Sequence, residues 1–333
     1  MSILSQVMSV SVGKRANTQE DAKDEIVSAA KETRVYERPR HVFTTREELK
    51  SAVRIYVNHR QTNLYGPIGS WDVSNITDMS YLFAFCYRFN EPLDTWDVSR
   101  VTNMSGMFYG CSRFNQSLDT WDVSRVTNMS GMFGNCESFN QPLETWNVAN
   151  VTNMEDMFHN CDLFNQPVNT WNVANVTNMR YMFAYCIWFN QPLDTWDVSQ
   201  VIDMNTMFCG CLRFNQSLET WNVSNVTRMC HMFHRCTAFN QPLDTWNVSN
   251  VTNMCSMFEG CHSFNQPLDT WNVSKVKVTN MINMFRDCRL FYQNLSAWKQ
   301  CIPSLQDQDL VLKMFTGNCQ QRKLDVYVDY FCK

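Results

Sequence analysis

Apolar residues recur along this chain at fixed places in a 25-residue cycle. Trp71, Trp96, Trp121, Trp146, Trp171, Trp196, Trp221, Trp246 and Trp271 follow one another without a slip. A period of this length marks stacked repeats, in which each unit buries its apolar face against its neighbours. In the second copy the apolar slots hold Trp96, Val98, Val101, Met104, Met107, Phe108, Cys111, Phe114 and Leu118. Trp96-Asp97-Val98 alternates as a short strand does. Residues 101–104 predict a second extended segment, and Met107 to Cys111 a tight helical or 3₁₀ turn. The Phe-Asn-Gln-Pro stretch predicts a corner that returns the chain to the next strand.

The flanks lack the cycle. Residues 1–40 are polar and mixed in charge, which predicts a flexible arm with a short helix near residues 21–31. Residues 41–65 predict a helical N-terminal cap. Thr45 and Glu48 stand at capping-box spacing, and Leu49, Val53, Tyr56 and Val57 recur at helical spacing. A stack needs such a lid, because its first coil otherwise exposes core and backbone edge. The repeat occupies residues 66–298. Its last copy carries a two-residue insertion around Lys275-Val276-Lys277, and Trp298 closes the series. Residues 299–333 predict a C-terminal cap, with Leu310, Val311, Met314 and Phe315 at helical spacing.

Leu93, Trp96 and Val98 keep the L-x-x-L-x-L spacing of a leucine-rich repeat, with Trp in the middle position. The full motif, V-[ST]-x-V-T-x-M-x-x-M-F-x-x-C-x-x-F-N-Q-x-L-x-x-W, resembles the BspA-like leucine-rich repeat, in the variant first named from mycoplasma lipoproteins. The resemblance covers residues 66–298. It implies a right-handed, mainly-β solenoid of about nine 25-residue coils with helical caps at both ends. It also implies a surface or interaction role and no enzyme activity. Members occur in bacteria, protists and large DNA viruses, and many bacterial members are secreted.

Charge sharpens this picture. The net charge is −4, which leaves no electrostatic footprint for nucleic acid. Residues 1–65 hold 11 basic and 8 acidic side chains, residues 66–270 hold 8 and 19, and residues 271–333 hold 9 and 5. An acidic rod with mildly basic ends is soluble, and it has a route to self-association or assembly through its caps. The N-terminal residues carry no basic n-region and no long apolar run, so neither a secretory signal nor a transmembrane segment is expected. The expected location is intracellular or virion-associated, with the cell surface as the alternative.

Fifteen cysteines suggest a disulfide scaffold, but nine of them, Cys86 to Cys288, share one repeat slot. Side chains stacked in one slot run parallel, whereas a disulfide needs convergent β-carbons. Free buried thiols are expected. The asparagine ladder from Asn90 to Asn265 and the Asp or Asn after each Trp occur in nearly every copy, so they are read as serving the coil. N-x-S/T sequons such as Asn75-Ile76-Thr77 are a by-product of repeating it. Cys230-His231-Met232-Phe233-His234-Arg235-Cys236 is a local cluster of soft ligands, yet its spacing fits no usual zinc pattern. No catalytic, cofactor or metal site is expected.

Specificity must then lie in the slots that differ between copies: the two residues before Met-Phe, the two after it, and the two after Cys. They form one turn-side face. Its candidate partner-binding residues are Tyr181, Tyr185, Ile187 and Trp188 in copy five, with Tyr109, Arg113 and Arg213. Exposed aromatics clustered on a rigid face suit protein recognition. The expected function is a non-catalytic protein–protein interaction scaffold. The alternative is a structural component of a virion or a cell-surface, adhesin-type assembly.

Overall fold

The computed structural model describes residues 41–58, 64–301 and 308–315. The chain divides into the units Met1–Arg40 and His41–Lys333. The arm expected over residues 1–40 lies outside the described residues, as do residues 316–333.

From Trp71 onward each 25-residue period forms one coil, and coils stack in register. We number them from coil 1 at Trp71 to coil 9 at Trp271. The tryptophans line up: Trp196, Trp221, Trp246 and Trp271 follow at 6.4 Å between ring centroids, with planes within 2°. The Phe108 slot forms a second column with rings 5.4–5.8 Å apart. Ladders of Val, Met, Cys and Leu complete a continuous buried core.

The expectation of a mainly-β solenoid over residues 66–298 is overturned. Among the described residues no sheet of regular strands forms. Extended pairing among the described residues consists of isolated parallel bridges: Val42 with Asp72, and one residue per coil running Asp78, Asn103, Asn128 and onward to Asn253. The predicted strand at Trp96-Asp97-Val98 is not one. Beyond each bridge residue the backbone turns. Each coil places two residues, four apart, in the left-handed region: Tyr81 and Phe85, Gly106 and Gly110, Asp156 and Asn160, Tyr181 and Tyr185, and so on to Asn283 and Asp287. Left-handed residues interrupt an extended chain, and the segment becomes a run of three-residue turns. Met107, Tyr109 and Cys111 donate their N–H groups back to Met104, Gly106 and Phe108. The intervening residues Met104, Gly106, Phe108 and Gly110 donate to carbonyls of the next coil, at 2.7–2.9 Å. Every N–H in this run is satisfied, half within the coil and half across it.

Side chains repeat because each one bonds the neighbouring coil. From Trp96 to Trp298 the indole N–H donates to a carbonyl of the preceding coil at 2.8–3.0 Å. From Cys111 to Cys288 the thiol donates to a Phe carbonyl of the preceding coil at 2.8–3.1 Å. These cysteines are free. They act as donors inside the core as well as small apolar groups, and burial pushes their thiols well above the ordinary cysteine value. The Oδ1 atoms of Asn90 through Asn240 accept the backbone N–H of the next ladder Asn at 2.8–3.0 Å. The Asp or Asn after Trp accepts the N–H two residues on, as Asp97 does from Ser99 at 3.0 Å.

The ends of the stack are closed by groups that stand in for missing coils. Helix α1 (Arg46–Asn58) buries Leu49, Ala52 and Val53. From it Arg46 donates through Nη2 to the Ser80 carbonyl at 2.6 Å. That carbonyl matches the one on Ser105, which takes an N–H from coil 1. The extended segment 41–43 pairs with Asp72. At the far end a 3₁₀ turn, Val278–Met281, absorbs the insertion, and the short helix α2 spans Trp298–Cys301. Lys313 and Met314, in helix α3 (Gln308–Phe315), then accept the N–H groups of Asn283 and Phe285 at 2.8 and 2.9 Å. Among the described residues no helix is long and apolar enough to cross a membrane.

Candidate functional site

The paired left-handed residues define the variable face. A left-handed residue carries its side chain away from the turn run, so these slots escape the like-on-like rule of the core. Their backbone is nevertheless held by the inter-coil hydrogen bonds. The result is a rigid surface whose chemistry changes from coil to coil.

Copy five brings most of its candidates together. Tyr185 is 40% exposed and Trp188 is 50% exposed. Tyr181 and Ile187 are half-buried. The Arg213 guanidinium lies over the Trp188 ring at 4.9 Å, and Arg180 covers Tyr181 at the same distance. Such cation–ring contacts hold flat aromatic surfaces in place. His159 packs against both Tyr181 and Tyr185, with centroids 5.7 and 6.0 Å away. The neighbouring Cys209 thiol pushes the Tyr185 phenol above its ordinary value.

Tyr109 and Arg113 belong elsewhere, on coil 2. Arg113 is exposed. Tyr109 packs edge-on against Phe85, with centroids 5.6 Å apart. Its ring lies across Gly134 of the next coil, where a β-carbon would meet Cδ2 at 2.7 Å. The same relation holds for Tyr185 over Gly210, at 2.6 Å, and for Phe85 over Gly110, at 3.1 Å. Tyr81 likewise rests on Gly106. An aromatic residue lies flat because glycine stands 25 residues later. That spacing is readable in the sequence and is the signal the copy-by-copy reading missed.

A groove of about 390 Å³ runs over coils 1 to 4, lined by Tyr81, Phe85, Gly106, Tyr109, Ser130, Gly131, Glu155 and Asp156. Its acidic end is electrostatically unusual. Burial, and then Glu155 beside it, pushes the Asp156 carboxyl up to about 6, with Arg180 opposing. His159 Nδ1 is 3.4 Å from Asp156 Oδ1, and burial lowers that imidazole below its ordinary value.

The cluster at Cys230 is only partly assembled. Cys230 Sγ is 2.9 Å from His231 Nδ1, and Cys209 Sγ is 3.7 Å from His234 Nδ1. Cys236 belongs to the core ladder and donates to the Phe208 carbonyl at 2.9 Å. Among the described residues no three His, Cys, Asp or Glu side chains are placed to hold one metal ion.

No curated protein and no solved structure matches the chain. A sequence family described as "Mycoplasma protein of unknown function, DUF285" matches it four times, over residues 51–169, 118–219, 141–241 and 213–321. The overlapping matches track the repeat and span most of the sequence, so the chain belongs to the DUF285 family.

Proposed function

We propose that this chain is a non-catalytic scaffold that binds a protein partner through its variable face. One observation carries the reading: Tyr185 and Trp188 stand exposed on neighbouring turns of a hydrogen-bonded coil, each braced from an adjacent coil by Gly210 or Arg213. Aromatic anchors held rigid before binding lose little conformational entropy on association, and such residues dominate interface energetics. The BspA-like resemblance of the repeat motif, a family with surface and interaction roles, agrees with this reading. The alternative is an architectural component of a virion or cell-surface assembly, joined through its ends. It rests on the uneven charge, with an acidic middle between more basic flanks.

The test is quantitative capture from the native source by the full chain, compared with a Tyr185→Ala/Trp188→Ala double variant of equal thermal stability. The scaffold reading expects one stoichiometric partner bound at least about tenfold more weakly by the variant, since losing two hot-spot residues costs ~2 kcal/mol or more. A partner held equally well by both proteins would refute this face as the binding surface.

A further inference from the structure

We infer that the groove over coils 1 to 4 is a pocket for a cationic side chain of a partner protein, an arginine above all, seated on Tyr109 and Gly131 with its charge at Asp156 and Glu155. This rests on the scaffold reading and names the partner's chemistry.

The walls divide the work. Tyr81 and Phe85, 51% and 58% exposed, bound the groove at coil 1. Gly131 removes a side chain from its floor, so a ligand stem can approach the backbone there, while the Tyr81 ring covers Gly106. Tyr109 spans the middle. Its ring lies on Gly134, and the Asp156 carbonyl is 3.4 Å from where that glycine's β-carbon would stand. The aromatic face therefore ends beside residue 156. Ring faces attract cations and repel carboxylates, and a partly desolvated carboxylate next to them gains most from an organic cation. A planar guanidinium satisfies both, since it stacks on a ring and donates to a carboxylate in a fork.

The resident groups meet this demand only in part: the Asn178 amide donates to Glu155 Oε2 at 3.1 Å. Arg180 Nη1 is 3.7 Å from Glu155 Oε1, and it also covers Tyr181. Asp156 faces Glu155 as a like charge and His159 as an imidazole that burial biases toward neutrality. The surrounding repeat is acidic, with 8 basic against 19 acidic side chains over residues 66–270. The other end of the variable face carries more basic groups. There Arg235, Arg286 and Arg289 line a separate groove of about 310 Å³ together with Glu259 and Asp287, which pair with Arg286 and Arg289.

The experiment uses the full chain labelled with 3-fluorotyrosine and observed by ¹⁹F NMR. The probes are N-acetyl-arginine methylamide and its citrulline counterpart, an uncharged near-isostere. The arginine probe is expected to shift the Tyr109 and Tyr81 resonances saturably, and the citrulline probe to bind at least about fivefold more weakly. Asp156→Asn keeps a residue type that tolerates the left-handed backbone, and it should bring the arginine probe to the citrulline level. Lowering the pH from 7.5 to 5 protonates a carboxyl titrating at about 6. Binding should then weaken by up to about tenfold in the native chain, and this part of the pH response should be missing in Asp156→Asn.

Equal responses to the two probes, or an unchanged affinity in Asp156→Asn, would overturn the assignment. So would concentration-dependent dimers that abolish the shift and disappear on Arg286→Gln/Arg289→Gln, because a second copy would then be the occupant. Failure of the scaffold reading looks different. In that case Tyr185→Ala/Trp188→Ala leaves partner capture intact, whatever the arginine probe does.

Discussion

Replacing Gly210 with alanine tests whether the variable face is built as one interlocked surface. Gly210 sits at φ +73°, and an alanine there would place its β-carbon 2.6 Å from Tyr185 Cδ1. Two costs separate. The left-handed backbone costs alanine ~1 kcal/mol, and the stiffer unfolded chain returns roughly 0.5 kcal/mol, leaving ~0.5 kcal/mol. The methyl group also drives the Tyr185 ring off its seat. The packing against His159 is then lost, and the side chain leaves a relaxed rotamer, for about 1.5 kcal/mol together. The expected total is ~2 kcal/mol in the native background, against ~0.5 kcal/mol in Tyr185→Ala, where no ring remains to displace. Urea unfolding, followed by tryptophan fluorescence and far-ultraviolet circular dichroism, measures both from midpoints at unchanged slope. Gly260→Ala is a matched control. It occupies the same slot at φ +74°, but its contact is the flexible Arg235 chain, with Cγ at 3.3 Å. It should cost little more than the backbone share. Equal penalties for Gly210→Ala in the two Tyr185 backgrounds, within ~0.3 kcal/mol, would show that the ring and the glycine do not depend on one another.

Two further outcomes follow from the inter-coil bonds. Trp221→Phe should destabilise by roughly 2 kcal/mol, because it removes the 2.9 Å indole bond to the buried Leu193 carbonyl, which keeps only the Trp196 N–H at 3.2 Å, and leaves space between Trp196 and Trp246. Trp71→Phe should cost only ~1 kcal/mol, since its bond to the Gly66 carbonyl is longer, at 3.2 Å, and part-exposed; equal losses in urea unfolding would count against a stack held by neighbouring coils. Iodoacetamide labelling read by mass spectrometry should modify part-exposed Cys255 about 10³ times faster than Cys136, Cys161 or Cys186, because the core thiols are pushed high by burial and need local opening to react. Comparable native-state rates would mean that the thiol ladder is not closed.

The core was legible because stacking imposes a like-for-like rule. A tryptophan every 25 residues can satisfy its indole N–H on the previous coil only if that coil presents the same carbonyl in the same place, so the letters must repeat when the geometry does. Cysteine and asparagine repeat for the same reason, each filling one hydrogen bond per coil. The backbone of the variable segment was not legible. Its left-handed slots hold Tyr, His, Asp, Thr and Arg as well as Gly and Asn, and only the last two advertise that conformation in a sequence. Apolar alternation at Trp96-Asp97-Val98 suggested a strand where no ladder forms, and the extended segment expected over residues 101–104 reduces to a single bridge at Asn103 before the turns begin. What holds each turn is a carbonyl one full coil away, a relation that local propensity cannot register.

The functional surface escaped the sequence for a related reason. Tyr109 and Gly134 share one slot in successive coils, Asp156 stands three residues before that slot in the next coil, and none of the three is unusual within its own copy. Reading down two neighbouring columns of the aligned repeat, rather than along the chain, recovers them: Tyr81, Gly106, Gly131 and Asp156 in one, Tyr109, Gly134 and His159 in the other. The same reading separates Tyr185 over Gly210 from His234 over Glu259, although both pairs occupy the variable face. In this architecture, selectivity is written as short vertical words across neighbouring coils. A change in a variable slot should therefore alter recognition most when the coil above or below carries the matching small residue or charge.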